Sequence, residues 1–451
     1  MQDERIPGYR KWRWRVFGLT WLTYAAFYLT RNSFSVVKVE LIANFHAGTG
    51  VGLSREQVGL VDTAYLITYA CGQFIWGPLA DRFGPRKVLL LGMGLAVFAA
   101  ICSGFSTVPV AFAAFAIVQG LGQSTGWSTL VKVMSSWFSL RERGRVMGWW
   151  CTNYAVGGAV AAPFAAWMMV VFAAAADDRL GAMAVVPSWH AGFWVPAAAL
   201  FAVLVVVLLL PERPRDVGLP SIETYHDEAE SVIRAEDRSQ DEPERSWTTV
   251  AKVLRVRAVW LLGLSYFGVK LARYSVLFWG TVFIAESLGE STLVSAITSA
   301  AFPIGGVAGV ILTGQLSDRL FQSRRIPVTI FSLVAGVAVL VAAVSRPIGS
   351  LWVMGAFFFL LGFFLMGPDA LISGTAAQDF GTKKGAGTAA GAINGIGSIG
   401  GIFGGYLPAR LTSDGDWTPL LYTFIAVLSF SALILTPLWN KTSRTAPRSA
   451  G

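Results

Sequence analysis

Two arginines lie where a charged side chain is costly. Arg31 is near the middle of an apolar stretch from about residue 15 to residue 43, and Arg273 lies in a second stretch from 256 to 287. A charge at the centre of a membrane-spanning helix costs about 2.5 kcal/mol or more, so such a residue usually faces a water-filled cavity and works there. The two positions predict an anion-binding site inside a membrane protein.

The surroundings of these arginines repeat. Residues 266–273 read YFGVKLAR and residues 24–31 read YAAFYLTR, with a tyrosine seven positions before the arginine in both. Arg31 follows Arg15 by 16 residues and Arg273 follows Arg257 by 16, which is roughly 24 Å of helix. Matched depth in two halves indicates one anion held between the arginines. In the first stretch, Tyr24, Tyr28, Arg31 and Lys38 are spaced to share one helix face.

Composition sets the class of protein. Hydrophobic residues make up 54% of the 451 and charged residues only 14%, and the apolar runs are too long for a soluble core. We expect an all-α membrane protein with twelve spans, in two six-helix halves at 1–210 and 256–451 and a cytoplasmic linker at 211–255. The spans are 15–43, 55–80, 87–105, 108–138, 142–176, 189–210, 256–287, 291–320, 326–346, 349–379, 384–411 and 416–438.

The net charge of +9 is distributed asymmetrically. With the N-terminus in the cytoplasm, most Lys and Arg fall in the tails, the linker and the loops on that side. Four fall on the other side (Arg55, Arg179, Arg346 and Arg410), which places both termini in the cytoplasm. Away from the span ends, five cations lie within spans (Arg31, Lys38, Lys132, Lys270 and Arg273), against about two acids, Asp62 and Asp369. Surplus positive charge predicts an anionic ligand.

Two loops resemble the cytoplasmic signature of the major facilitator superfamily. They are GPLADRFGPRK at 77–87 and GQLSDRL at 314–320, each after the second span of its half. We expect gating or structural roles for the charged residues of these loops and for Lys132 near the inner end of span 4; the loop residues are Asp81, Arg82, Asp318 and Arg319. In span 10, Gly367-Pro368-Asp369 predicts a break or kink that places Asp369 in the interior.

Four further segments resemble the organophosphate:phosphate antiporter family, the branch of that superfamily with the bacterial glycerol-3-phosphate and hexose-phosphate transporters. They are YAAFYLTRNSF in span 1, VGLPSIETY at 217–225, LARYSVLFW at 271–279 and KKGAGTAAG at 383–391. The resemblance implies that Arg31 and Arg273 bind phosphate, which suits the planar guanidinium. It implies that the organic group is bound by other side chains, namely Tyr24, Tyr28, Gln73, Tyr154, Tyr266 and Asn394.

Some positions depart from the family pattern. Lys270 stands where the second half more often has tyrosine, and Asn32, Gln73, Tyr154 and Phe278 replace a lysine, a lysine, a histidine and an aspartate. Lys38 and Lys270 are candidates to supply the missing positive charge. The organic group of the substrate therefore stays open.

The resemblance implies a monomeric inner-membrane carrier that exchanges an organophosphate for inorganic phosphate as two helix bundles rock about a central site. Two alternatives stay open. One is a membrane receptor for a phosphorylated sugar, and the other is a proton-coupled carrier of organic anions that uses Asp62 or Asp369. The sequence has no catalytic constellation, metal cluster or Walker loop, so we expect neither an enzyme nor a cofactor.

Overall fold

The computed structural model describes residues 8–48, 50–138, 146–147, 149–180, 188–222, 255–321, 324–346, 348–376, 386–412 and 415–440. The chain divides into two compact units. The first contains Met1–Glu40 and Ala64–Pro243, and the second contains Leu41–Thr63 and Glu244–Gly451. The end of span 1 and the start of span 2 thus belong to the second unit.

All twelve predicted spans fall on helices. The helices of the first six spans are Tyr9–Arg31, Ser33–Ala47, Arg55–Phe83, Pro85–Ser103, Pro109–Gln123, Thr125–Trp137, Thr152–Leu180 and Ala191–Val207. Those of the last six are Arg257–Leu288, Thr292–Ser299, Ala301–Arg319, Arg325–Ser345, Leu351–Ala370, Ala386–Leu411 and Thr418–Leu435. Within the described residues, eight helical segments are long and apolar enough to cross a membrane, and Ala191–Val207 is a shorter apolar helix.

Three spans expected as single helices are interrupted beside a polar side chain. Span 1 breaks at Asn32, directly after Arg31, and span 4 breaks at Ser124, directly after Gln123. Span 10 does not end at its Gly-Pro-Asp triplet; its α-helix continues to Ala370 and becomes a π-helix at Leu371–Ala376. Such irregularities release backbone groups and are common at functional sites. Span 8 also breaks, at Ala300, whereas the helix that carries Arg273 is continuous from Arg257 to Leu288.

Glycines bring the helices of the second unit into close contact. A Cβ built on Gly400 would overlap the carbonyl oxygen of Phe267, and one built on Gly362 would overlap that of Phe302. Small residues at such positions let membrane helices approach to backbone contact. The first contact holds span 11 against the helix of Arg273, and the second holds span 10 against span 8.

Ion pairs join the segment Leu41–Thr63 to the other helices of the second unit. Arg55 pairs with Glu286 and donates to Thr412 Oγ1 at 2.9 Å, while Arg410 pairs with Glu56. Arg55 and Arg410 are two of the four arginines that the charge distribution places outside the cytoplasm. Because Arg55 is buried, it contributes to packing as well as to topology.

The start of the predicted linker packs against the first unit. Trp137 Nε1 donates to the carbonyl of Pro211 at 3.3 Å, and the Arg86 backbone N–H donates to Glu212 Oε1 at 3.1 Å. A 3₁₀-helix follows at Pro214–Val217. These bonds attach the loop of the first signature motif to the chain that leaves span 6; linker residues 223–254 lie outside the described part.

Candidate anion-binding site

In the first unit, Arg31 is held by an amide side chain from span 4. Its Nε donates to Gln123 Oε1 at 2.8 Å. The same oxygen accepts from the hydroxyl of Tyr65 at 2.9 Å, and Gln123 Nε2 donates to Thr30 Oγ1 at 3.0 Å. Every polar atom of the Gln123 amide is therefore bonded, so the amide is fixed and in turn orients the guanidinium.

Aromatic rings form the walls around this guanidinium. Arg31 Cζ lies 4.5 Å from the ring centroid of Tyr28 and 4.9 Å from that of Tyr69, both within the range of a cation–π interaction. The Tyr69 hydroxyl lies near the side chains of Arg31, Gln73 and Tyr24. Tyr24 packs edge-on against Tyr28, with centroids 6.1 Å apart. Rings and hydroxyls thus surround the charge without neutralising it.

No carboxylate contacts Arg31 in the part of the chain that the structure describes. Its side chain interacts with an amide and with tyrosines, its exposure is 9%, and its Nη2 atom is buried with no hydrogen-bond partner among the described residues. Leaving a buried charged donor without a hydrogen-bond acceptor costs free energy. The arrangement suits an anion with oxygen acceptors.

In the second unit, the arginine is paired with a carboxylate. Arg273 Nη1 donates to both carboxylate oxygens of Asp369, at 3.0 and 2.9 Å, and the two side chains are 15% and 14% exposed. One nitrogen serves both oxygens, so this is not the parallel arrangement in which two guanidinium nitrogens bond two oxygens. The pair has no net charge, so an anion that binds Arg273 lies next to the negative charge of Asp369.

Lys270 and Tyr266 extend this second cluster. Lys270 Nζ lies 4.7 Å from the Tyr266 ring centroid and donates to Ser398 Oγ at 3.2 Å. Ser398 Oγ donates to the carbonyl of Asn394 at 2.8 Å, so this bond involves the backbone of Asn394. Tyr266 is buried, and Ser373 of the π-helix is a hydrogen-bonding neighbour of its hydroxyl. Spans 7, 10 and 11 thus each contribute polar groups.

The structure places the other predicted site residues in varied surroundings. Lys38 is fully buried, with Nζ 5.3 Å from the Phe34 ring centroid, so its ammonium does not reach solvent as that of a snorkelling lysine would. Tyr154 is half-buried against the core of the first unit, and Gln73 is exposed beside Tyr69. Lys132 donates to the Ala80 carbonyl at 3.4 Å.

The structure describes only some of the side chains for which gating roles are predicted. Arg82 is exposed, with its guanidinium 5.3 Å from the Phe83 ring centroid. Asp81, Asp318 and Arg319 lie in helices, but their side chains lie outside the described part. Their gating roles stay predictions.

Sequence reasoning missed three polar side chains of these clusters, namely Gln123, Tyr65 and Tyr69. It also missed the pairing of Asp369 with Arg273. Gln123 lies in the motif GLGQSTGW, among small residues that indicate helix packing. Tyr65 and Tyr69 are spaced four apart in span 2, and their rings stack with centroids 5.8 Å apart. Gln73 follows at the same spacing, and this polar stripe on one helix face was the signal that could have revealed them. Within the described residues, no group of three or more His, Cys, Asp or Glu could hold a metal ion.

Comparison with known proteins places these clusters in a family. Residues 20–405 match the Major Facilitator Superfamily. The chain is 31% identical to the membrane sensor protein UhpC of Escherichia coli, over 96% of this chain and 93% of that protein. It is 30% identical to the glycerol-3-phosphate transporter of Bacillus subtilis, over 98% and 96%.

A solved structure shares the fold. The bacterial homologue of the human lysosomal transporter Spinster superposes with a TM-score of 0.71 over 94% of this chain and 96% of its own, at 17% identity. The likeness extends over nearly the full length of a multi-pass membrane transporter, in agreement with the apolar helices described above. The chain belongs to the major facilitator superfamily and, within it, to the organophosphate:phosphate antiporter family.

Proposed function

We propose that this protein is a secondary active transporter that exchanges an organophosphate, of the sugar phosphate or glycerol 3-phosphate type, for inorganic phosphate. Arg31 and Arg273 bind the phosphate group, and rocker-switch alternating access moves it across the membrane. The charge asymmetry of the loops supports an inner-membrane location with both termini cytoplasmic. We propose a monomer as the working unit.

The observation that carries this proposal is the environment of Arg31. A buried guanidinium with an amide and tyrosine rings as its partners lacks a counterion among the described residues. A phosphate monoester supplies about −1.5 to −2 charge at neutral pH, and its oxygens accept several hydrogen bonds. Similarity to a glycerol-3-phosphate transporter over nearly the whole chain supports the same class of ligand.

A counterflow assay tests the proposal. Purified protein is reconstituted into vesicles loaded with inorganic phosphate, and labelled glycerol 3-phosphate or glucose 6-phosphate is added outside. We expect uptake that depends on the internal phosphate and that an imposed pH gradient does not accelerate. Acceleration by that gradient would instead support a proton-coupled carrier.

A receptor is the second candidate, and one observation favours it. The chain is 31% identical to a protein named as a membrane sensor. A receptor would bind the phosphorylated sugar with little flux. Binding of glucose 6-phosphate by the purified protein, together with absence of counterflow in the same preparation, would select the receptor over the carrier.

The Gln123→Glu variant tests whether Arg31 must lack a counterion. The new carboxylate would lie where Gln123 Oε1 accepts from Arg31 Nε at 2.8 Å and would compete with phosphate for the guanidinium. We expect the affinity for inorganic phosphate to fall at least about tenfold, measured by calorimetry on purified protein.

The Gln123→Met variant is the matched control. It removes the acceptor but adds no charge, so it loosens Arg31 without supplying a competitor. If orientation alone matters, methionine will cost more affinity than glutamate, because glutamate keeps an acceptor. That order would contradict the counterion argument.

A further inference from the structure

The carboxylate of Asp369 is hydrogen-bonded to Arg273, the arginine that would bind a phosphate. Both of its oxygens accept from Arg273 Nη1, at 3.0 and 2.9 Å. The two side chains keep 15% and 14% of their surface accessible, so the pair is neither sealed in the core nor solvated as a surface pair. A ligand that reaches Arg273 also reaches Asp369.

The position of Asp369 in its helix places it among the polar groups of the second cluster. It lies next to Pro368 and two residues before the π-helix Leu371–Ala376. Its charge acts on both Lys270 and Tyr266. The cluster thus has two cations and one carboxylate, whereas the first unit surrounds Arg31 with neutral groups.

We propose that Asp369 is a specificity-determining residue that reads the hydroxyl groups of the organic part of the substrate. When a phosphate group bonds Arg273, the carboxylate leaves Nη1 and accepts a hydrogen bond from a hydroxyl of the same molecule. The cluster therefore selects phosphate monoesters of polyols over phosphate esters that lack hydroxyls. This inference rests on the proposed function and deepens it.

The chemistry follows from what a carboxylate can bond. An ionised carboxylate only accepts hydrogen bonds, so once displaced from Arg273 it needs a new donor. A polyol phosphate brings hydroxyl donors beside its phosphate. An alkyl phosphate leaves the carboxylate without its former partner, and sites of this kind discriminate strongly because a buried charged group is left unpaired.

Two esters of similar size separate the hydroxyl contribution from the phosphate contribution. Glycerol 3-phosphate and n-propyl phosphate share the phosphate and the three-carbon chain and differ in two hydroxyls. In purified wild-type protein, calorimetry should show a preference of at least about tenfold for glycerol 3-phosphate.

The Asp369→Asn variant should change the two ligands in different ways. Loss of the negative charge removes the competitor for Arg273, so the protein should bind n-propyl phosphate about tenfold more tightly than the wild type does. The preference for glycerol 3-phosphate should fall at least about tenfold. Asp369→Glu, which keeps the carboxylate, should retain the preference and serves as the second variant if the asparagine protein does not fold.

Asp416→Asn is the control, because Asp416 is an exposed carboxylate that accepts from the Thr418 backbone N–H outside this cluster. This variant should leave the affinities for both esters unchanged.

If Asp369→Asn weakens the binding of both esters equally, the pair only positions Arg273 and the inference is overturned while the transport proposal stands. If the wild-type protein binds neither ester nor inorganic phosphate, the proposed function fails and the inference fails with it.

Discussion

The Arg31→Lys protein should lose phosphate exchange by at least about a hundredfold although its charge is unchanged. Arg31 uses Nε to bond Gln123, and its Cζ lies within cation–π range of the rings of Tyr28 and Tyr69. A lysine ammonium is a point donor on a flexible stem, so it reproduces neither the fork toward phosphate nor this fixed orientation. Counterflow of labelled phosphate in reconstituted vesicles measures the loss.

Arg273→Lys should abolish exchange for the same geometric reason, although a lysine there could still pair with Asp369. Arg346→Lys is the matched control, because Arg346 is an exposed residue at the end of the helix Arg325–Ser345 and lies outside both clusters. Binding and exchange of phosphate at near wild-type levels in either the Arg31 or the Arg273 variant, at normal abundance in the membrane, would remove the phosphate site from these residues.

The fold could be predicted from the sequence because few backbone structures can span a membrane. Apolar runs of sufficient length form helices in a membrane, so every predicted span falls on a helix, and the two signature loops indicated the superfamily. The breaks at Asn32 and Ser124 were not predicted. Neither position carries a proline, and a local break of this kind depends on packing with neighbouring helices.

The two arginines were predicted because a charge in a span is rare and its position can be counted from the sequence. Their partners were not. The sequence indicated that Asp369 lies in the interior, but it did not indicate which of the intramembrane cations it pairs with. Gln123 was hidden in a glycine-rich motif whose ordinary interpretation is helix packing. Pairing across helices depends on the rotation of each helix, which periodicity alone does not give.

The pairing of Asp369 with Arg273 changes the charge of the second cluster. Because the carboxylate neutralises this arginine, Arg273 contributes little net positive charge. Among the described residues Arg31 contacts neutral groups, and one carboxylate serves both Arg273 and Lys270 in the second cluster, so each cluster keeps an excess of positive charge.

Efflux of labelled phosphate should therefore stall when the external buffer contains neither phosphate nor organophosphate. An empty carrier that occludes its site keeps these cations away from water without an anion, and an unpaired buried charge is unfavourable. Bound phosphate supplies the missing negative charge, so the loaded carrier crosses readily. We expect efflux from vesicles into phosphate-free buffer to be at least tenfold slower than into phosphate, and addition of phosphate or glycerol 3-phosphate outside should restart it.

The Gln123→Glu variant distinguishes this electrostatic coupling from a purely steric one. Its carboxylate would give Arg31 an internal counterion, so the empty carrier should cross more easily. We expect the ratio of efflux into phosphate-free buffer to efflux into phosphate to rise in this variant, even though its affinity for phosphate falls. In Gln123→Met, which adds no charge, the ratio should stay low. Fast wild-type efflux into phosphate-free buffer, in the absence of a proton gradient, would rule out coupling by the substrate's own charge.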